Sequence, residues 1–107
     1  PERWKPPKSP RSNRMVVAAV TWELHLSGCQ SLKDKRRIMK SLKDRLHNRF
    51  NVSVAETDYQ DRWQRAELSC CVVATDNRHA ESVLSTADNL VGREPMARIT
   101  NSQKSLL

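Results

Sequence analysis

Along residues 16–26 two sets of side chains alternate: Val16, Ala18, Val20, Trp22, Leu24 and Leu26 share one side, and Val17, Ala19, Thr21, Glu23 and His25 the other. A period of two predicts a long strand with one wholly apolar face. The chain turns at Ser27-Gly28, and from Ser31 the period lengthens. Ile38, Met39, Leu42 and Leu46, with Leu32 and Phe50 at the ends, recur at helical spacing, which predicts a helix over residues 31–50. Ser31 followed by Asp34 is a capping box at its start, and fraying is expected near His47 and Asn48. A second strand is expected over residues 52–57, then a polar connection at 59–64 and a third strand over 66–74. In that strand Leu68, Cys70, Val72 and Ala74 oppose Glu67, Ser69, Cys71 and Val73. After Asp76 or Asn77 as a cap, Ala80, Val83, Leu84, Ala87, Leu90 and Val91 trace a second helix, closed by Gly92. Pro95 prevents continuation, and residues 97–101 suggest a short final strand.

Strand, helix, strand, strand, helix, strand is the order of the ferredoxin-like βαββαβ fold. This is an α/β (α+β) sandwich with a four-stranded antiparallel sheet and two helices on one face. The first and third strands, the most continuously apolar, belong at the centre of the sheet, and the polar second and fourth at its edges. The even-numbered residues of the central strands would meet the helices. The other face, bearing Val17, Ala19, Thr21, Glu23, His25, Ser53, Ala55, Thr57, Glu67, Ser69, Cys71 and Val73, would stay open. It shows no aromatic and no Lys or Arg, so it is not a platform on which bases stack. Its uncharged stripe, Val17, Ala19, Cys71 and Val73, is instead a candidate partner interface, for a second copy forming a homodimer or for another protein. A solvated, half-polar sheet is the plainer alternative.

The helix over 31–50 carries the strongest functional signal. Lys33, Arg36, Arg37, Lys40 and Lys43 lie opposite its apolar side, and Lys33, Lys35, Arg36 and Arg37 crowd the first two turns, where the macrodipole disfavours cations. Across the helix Asp34 and Asp44 are the only acids, so one face docks and the other suits an anion. Lys33, Lys35, Arg36, Arg37, Lys40 and Lys43 are therefore candidates for binding phosphate. Trp63, in the polar connection, and Arg65, just after it, are candidates for stacking a base and holding its phosphate, with Arg62 as a second guanidinium beside the indole. An indole packed over the hairpin end is the competing structural role.

The chain's 107 residues suit one domain, and its formal charge is +7. Residues 1–14 contribute +4 of that charge and contain four prolines without periodicity, which predicts a disordered basic tail or an N-terminal extension. Residues 15–107 form the expected domain. The longest run without a charge or a strongly polar residue, residues 15–22, is far too short for a bilayer span, and no signal peptide is expected. Cys29, Cys70 and Cys71 are odd in number, and adjacent cysteines in a strand point apart, so a cytoplasmic protein without disulfides is expected.

Catalytic signals are weak. Glu56, Asp58 and Asp61 can gather at the hairpin end only if the connection folds their carboxylates together. His25, His47 and His79 lack metal-ligand spacing. Cys29, before a helix start and near Lys33, stands where the dipole and that lysine can lower a thiol pKa, but it has no base, and an incidental loop thiol is the plainer alternative. No catalytic residue, metal or cofactor is assigned.

Three stretches, Ser31-Leu-Lys-Asp-Lys-Arg-Arg37, Ser41-Leu-Lys-Asp-Arg-Leu46 and Arg49-Phe-Asn-Val-Ser-Val-Ala-Glu56 continuing to Asp61-Arg-Trp-Gln-Arg-Ala66, resemble the YlxP-like family of small bacterial proteins of unknown function. The likeness extends over residues 15–91, with Tyr59 where a histidine is usual and Arg62 where a small or apolar residue is usual. It implies a ferredoxin-like fold and a bacterial cytoplasmic setting. Genes of this family often lie between those for translation initiation factor 2 and ribosome-binding factor A, which implies an association with translation or ribosome assembly. The expectation is thus a non-catalytic, RNA- or ribosome-associated protein that binds the phosphate backbone through its first helix and has no membrane partner. The alternative is a protein-interaction module using the open sheet face.

Overall fold

The structure, a computed structural model, describes residues 15–107; the expected tail at residues 1–14 lies outside the described residues. The elements run β1 (Val16–His25), α1 (Leu32–Arg49), β2 (Ser53–Asp58), β3 (Arg65–Ala74), α2 (Asn77–Gly92) and β4 (Arg98–Leu106). The four strands form one antiparallel sheet in the order β2-β3-β1-β4, so the ferredoxin-like fold expected from the pattern is the fold observed. β1 and β3 pair along their whole length, from Val16 opposite Ala74 to His25 opposite Arg65. Even-numbered residues of both strands are buried under the helices, and the odd-numbered face is open.

Helix and strand meet through the expected apolar positions. Met39, Leu42 and Leu46 of α1 and Ala80, Leu84, Ala87 and Val91 of α2 close over Val20, Trp22, Leu24, Leu68 and Cys70. Trp22 is fully buried, and its indole Nε1 donates to Asp88 Oδ1 at 2.7 Å, so the polar atom of this core residue is satisfied. The other oxygen of Asp88 pairs with Lys104 of β4 at 2.7 Å, tying α2 to the edge strand. Ser31 Oγ accepts from the Asp34 backbone N–H at 3.1 Å, and the Asp34 carboxylate accepts from the N–H of Gln30. The box therefore closes one residue earlier than the simplest version. Asp76 caps α2 in the same way, accepting from His79 N–H at 2.8 Å.

Two boundaries differ from the pattern. β4 extends to Leu106 rather than ending near residue 101. Its residues show no apolar alternation because an edge strand needs none; the backbone of β1 supplies partners as far as Ala18 opposite Leu106. A register shift in this ladder falls between Glu23 and Leu24. Gly92 is the last residue of α2, not a left-handed stop, since no glycine among the described residues has a positive φ. Arg93 is the cap, and its N–H reaches back to Asn89 and Leu90 carbonyls.

Candidate nucleic-acid interface

α1 separates its charges as expected, with one correction. Lys33, Arg36, Arg37 and Lys40 are exposed and Lys43 is half-buried on the side away from the core. Lys40 is held by Asp44 one turn on, at 2.7 Å, which raises the pKa of the lysine and lowers that of the aspartate through their hydrogen bond. Among the described residues Lys33, Arg36, Arg37 and Lys43 have no ion pair. Arg45, on the flank toward α2, is paired with Glu94. The opposite flank of α1, where 3.6-residue spacing puts Arg36 and Lys43, therefore overlooks the β2 edge of the sheet.

Lys35 does not belong to this face. Its side chain is 1% exposed, and its Nζ lies 2.8 Å from Glu56 Oε2 and donates to the carbonyl of Tyr59. The reason is geometric: Lys35 precedes Met39 by four residues and Leu42 by seven, which places it in the middle of the apolar stripe. Desolvating the ammonium is tolerated because a carboxylate and a carbonyl replace its water. One of the four cations at the helix start is thus structural.

What Lys35 holds is the β2–β3 turn. Tyr59 has φ 61°, a left-handed conformation that costs a non-glycine residue roughly 1 kcal/mol. The bonds around it compensate. Asp58 Oδ1 accepts from the Tyr59 N–H at 2.7 Å, and the Tyr59 carbonyl accepts from Arg62 N–H at 3.0 Å as well as from Lys35. The Arg65 guanidinium covers the Tyr59 ring at 4.0 Å and donates to Glu23 Oε1 through Nε, at 2.8 Å, and Nη2. Gln64 Nε2 reaches the Cys29 carbonyl at 3.0 Å, joining this turn to the loop before α1.

The sequence-predicted binding residues consequently divide between two places. Lys33, Arg36, Arg37, Lys40 and Lys43 top the helix layer, whereas Trp63 and Arg65 lie at the end of the open sheet face, across the sheet from them. The Arg65 charge is already engaged with Glu23, which holds the guanidinium protonated more firmly and turns it toward a positioning role. Trp63 is 52% exposed, so about half of its surface is free to meet a partner.

The open face is less bare than its roster suggested. At one end Val73 is 64% exposed opposite Val17, with half-buried Ala19 and Cys71 completing the uncharged stripe. In the middle Thr21, Ser69, Thr57 and Glu67 form a hydrogen-bonded chain across three strands, at 3.0, 2.8 and 2.6 Å. The far end carries the row Arg65–His25–Arg98 across β3, β1 and β4, with the Tyr59 ring beneath Arg65. Arg65 and Arg98 therefore correct the expectation of a cation-free face, and the Tyr59 ring brings an aromatic to it. Arg98 lies between the inward-facing Ala97 and Ile99, so the alternation at the start of the final strand already put it on this side.

Glu56, Asp58 and Asp61 do not converge. Glu56 turns inward to Lys35, Asp58 to its own turn, and Asp61 to a shallow groove beside Trp63. Among the described residues no group of three or more His, Cys, Asp or Glu is placed to hold a metal ion. Cys29 is buried, and desolvation, with Asp34 nearby, raises its thiol pKa against the opposing effect of Lys35; the lowering that its position allows does not occur. Burial likewise pushes the Cys70 thiol up to about 11.

Fold and surface together define a small ferredoxin-like protein with a cationic helix on one side and an open sheet on the other, and no described helix is long and apolar enough to cross a membrane. The chain belongs to the family described as "Protein of unknown function (DUF503)", which it matches over residues 17–104. The "Uncharacterized protein YlxP" of Bacillus subtilis (strain 168) is 41% identical over 54 residues, covering 50% of this chain and 59% of that protein. Among solved structures, a C-terminal segment of the alpha subunit of aIF2 from Pyrococcus abyssi aligns with TM-score 0.49 and 19% identity over 87% of this chain and 49% of that one. A de novo designed protein with ferredoxin fold aligns with TM-score 0.41 and 17% identity over 86% and 83% of the two chains.

Proposed function

We propose that the protein binds RNA, free or in a ribosomal particle, through the outer face of α1, without catalysing a reaction. The observation that carries this reading is the cluster Lys33, Arg36, Arg37 and Lys43, none of them ion-paired among the described residues, on a helix whose acids are otherwise committed. Asp44 is taken by Lys40 and Asp34 by the cap, so neither acid of the helix forms an ion pair with those four cations. Repulsion among them and the unfavourable macrodipole are relieved when phosphates replace the condensed counterions. Packing cannot account for them, because none belongs to the buried core.

Counterion release makes the reading measurable. Four cations on single-stranded phosphate predict a log–log salt slope of about −2.8. Arg36→Gln/Arg37→Gln should lower affinity for RNA and reduce the steepness of the slope by about 1.4, with the circular dichroism spectrum unchanged because glutamine is a good helix former. Co-sedimentation with ribosomal subunits at low and high salt separates a particle-bound from a free protein. Equal affinity and slope for the double variant and the parent would remove α1 as the binding face.

A further inference from the structure

Beyond the stripe on α1, the far end of the open sheet face has the makings of a second, more selective contact. Trp63, 52% exposed, stands over a shallow groove bordered by His25, Asp61, Arg62 and Arg65, and Arg98 flanks His25 on the side opposite Arg65. A tryptophan this exposed on a two-strand connection loses apolar contact to water unless something covers it. The surrounding groups say what chemistry suits it. Arg65 is neutralised by Glu23, so Arg62 and Arg98 are the cations here without an ion pair among the described residues. Asp61 offers an acceptor. A π face with cations to either side and one acceptor at its rim matches a nucleotide: the base stacks, the phosphate meets a guanidinium and an exocyclic amine meets the carboxylate.

The groove is also held in place. The turn that presents Trp63 is fixed from below by the buried Lys35 on the Tyr59 carbonyl, from the side by Gln64 on the Cys29 carbonyl, and from above by Arg65 stacked on the Tyr59 ring. The anchors that offset the strain at Tyr59 thereby pre-set the turn, and a pre-set platform loses less entropy when it binds. An apolar protein partner fits this end poorly. The rim of Trp63 is polar throughout, and the uncharged stripe of Val17, Ala19, Cys71 and Val73 begins at the opposite end of the sheet.

We infer that this groove receives one unpaired nucleotide, its base stacked on Trp63 and its phosphate held by Arg62, with Arg98, on the far side of His25, meeting the phosphate of a neighbouring nucleotide. The inference takes its ligand class, RNA, from the reading of α1, and adds a preference for single strands that α1 alone does not supply. The two can fail separately. The test is fluorescence and filter-binding titration of the full chain with a single-stranded RNA octamer, a blunt RNA duplex of the same length, and AMP. Trp63→Ala should weaken octamer binding about tenfold and leave duplex binding unchanged, and Trp63→Phe, which keeps a π face, should recover most of that loss. Arg98→Gln should weaken the octamer and flatten its salt slope by about 0.7. Arg36→Gln/Arg37→Gln should weaken octamer and duplex alike. AMP quenching the parent's fluorescence, but not that of Trp63→Ala, as tightly as the octamer does would assign the groove to free nucleotides rather than an RNA strand. Unchanged octamer affinity in Trp63→Ala, while the arginine pair still matters, overturns the groove and spares α1. Loss in Trp63→Ala with no effect of the arginine pair does the reverse.

Discussion

At the scale of single residues, Lys35 shows how charge and spacing can give opposite advice. A lysine among Lys33, Arg36 and Arg37 reads as one more exposed cation, yet its spacing from Met39 and Leu42 already placed it inward. Its partner, Glu56, comes from a strand 21 positions later, and no local pattern announces that pairing. Lys35→Met is expected to lower stability by about 3 kcal/mol in urea denaturation, because it strands the Glu56 carboxylate, whose buried Oε2 has only the lysine ammonium, at 2.8 Å, as its partner among the described residues. The low end of the range is chosen because the Glu56 side chain keeps 18% exposure. Adding Glu56→Gln should restore part of the loss by removing the unpaired charge, leaving the Tyr59 carbonyl without its buried donor as the remaining cost. A loss under about 0.5 kcal/mol in the single variant would mean that the pair is not what fixes the turn.

At the scale of elements the alternation of β1 and β3 and the helical stripes of α1 and α2 were legible, because each buries one face and burial imposes its period on the sequence. The limits of legibility follow from the same cause. β4 is nine residues long, and only Ile99 among them packs against the core, so most of its length left no periodic mark. The cationic side of α1 was legible as a surplus, but not which of its members would be spent on Asp44, on Glu94 or in the core; those depend on contacts between elements. Capping at the helix starts is local and was read correctly, unlike the end of α2 at Gly92, which makes it a fair measure of how much α1 relies on its own start. Ser31→Ala removes the acceptor of the Asp34 N–H and should cost about 1 kcal/mol by chemical denaturation. Because the unpaired Lys33, Arg36 and Arg37 already strain that end of the helix, amide exchange in its first turn should accelerate before global unfolding does. A variant as stable as the parent would mean that docking of Met39, Leu42 and Leu46, not the cap, decides where the helix begins.

For the whole molecule, the sandwich puts the α1 stripe and the open sheet on opposite sides, with a fully buried layer between them. Two surfaces so separated can serve two contacts without competing, and changes on one should add to changes on the other. Ala19→Arg tests this. Ala19 is half-buried in the uncharged stripe, with Cys71 opposite it on β3, and an arginine there can extend into solvent without entering the core. In a dimer joined face to face the same arginine would be buried without a partner, a costly arrangement, so any dimer formed through this face should become a monomer in light scattering. RNA affinity and its salt slope, measured at low protein concentration, should stay at the parent's values, and the triple variant with Arg36→Gln/Arg37→Gln should show the loss of the arginine pair alone. Concerted loss of RNA binding and of the dimer in Ala19→Arg would show that two copies of α1 act together on one RNA, with the open face joining them, and the independence of the two sides would have to be given up.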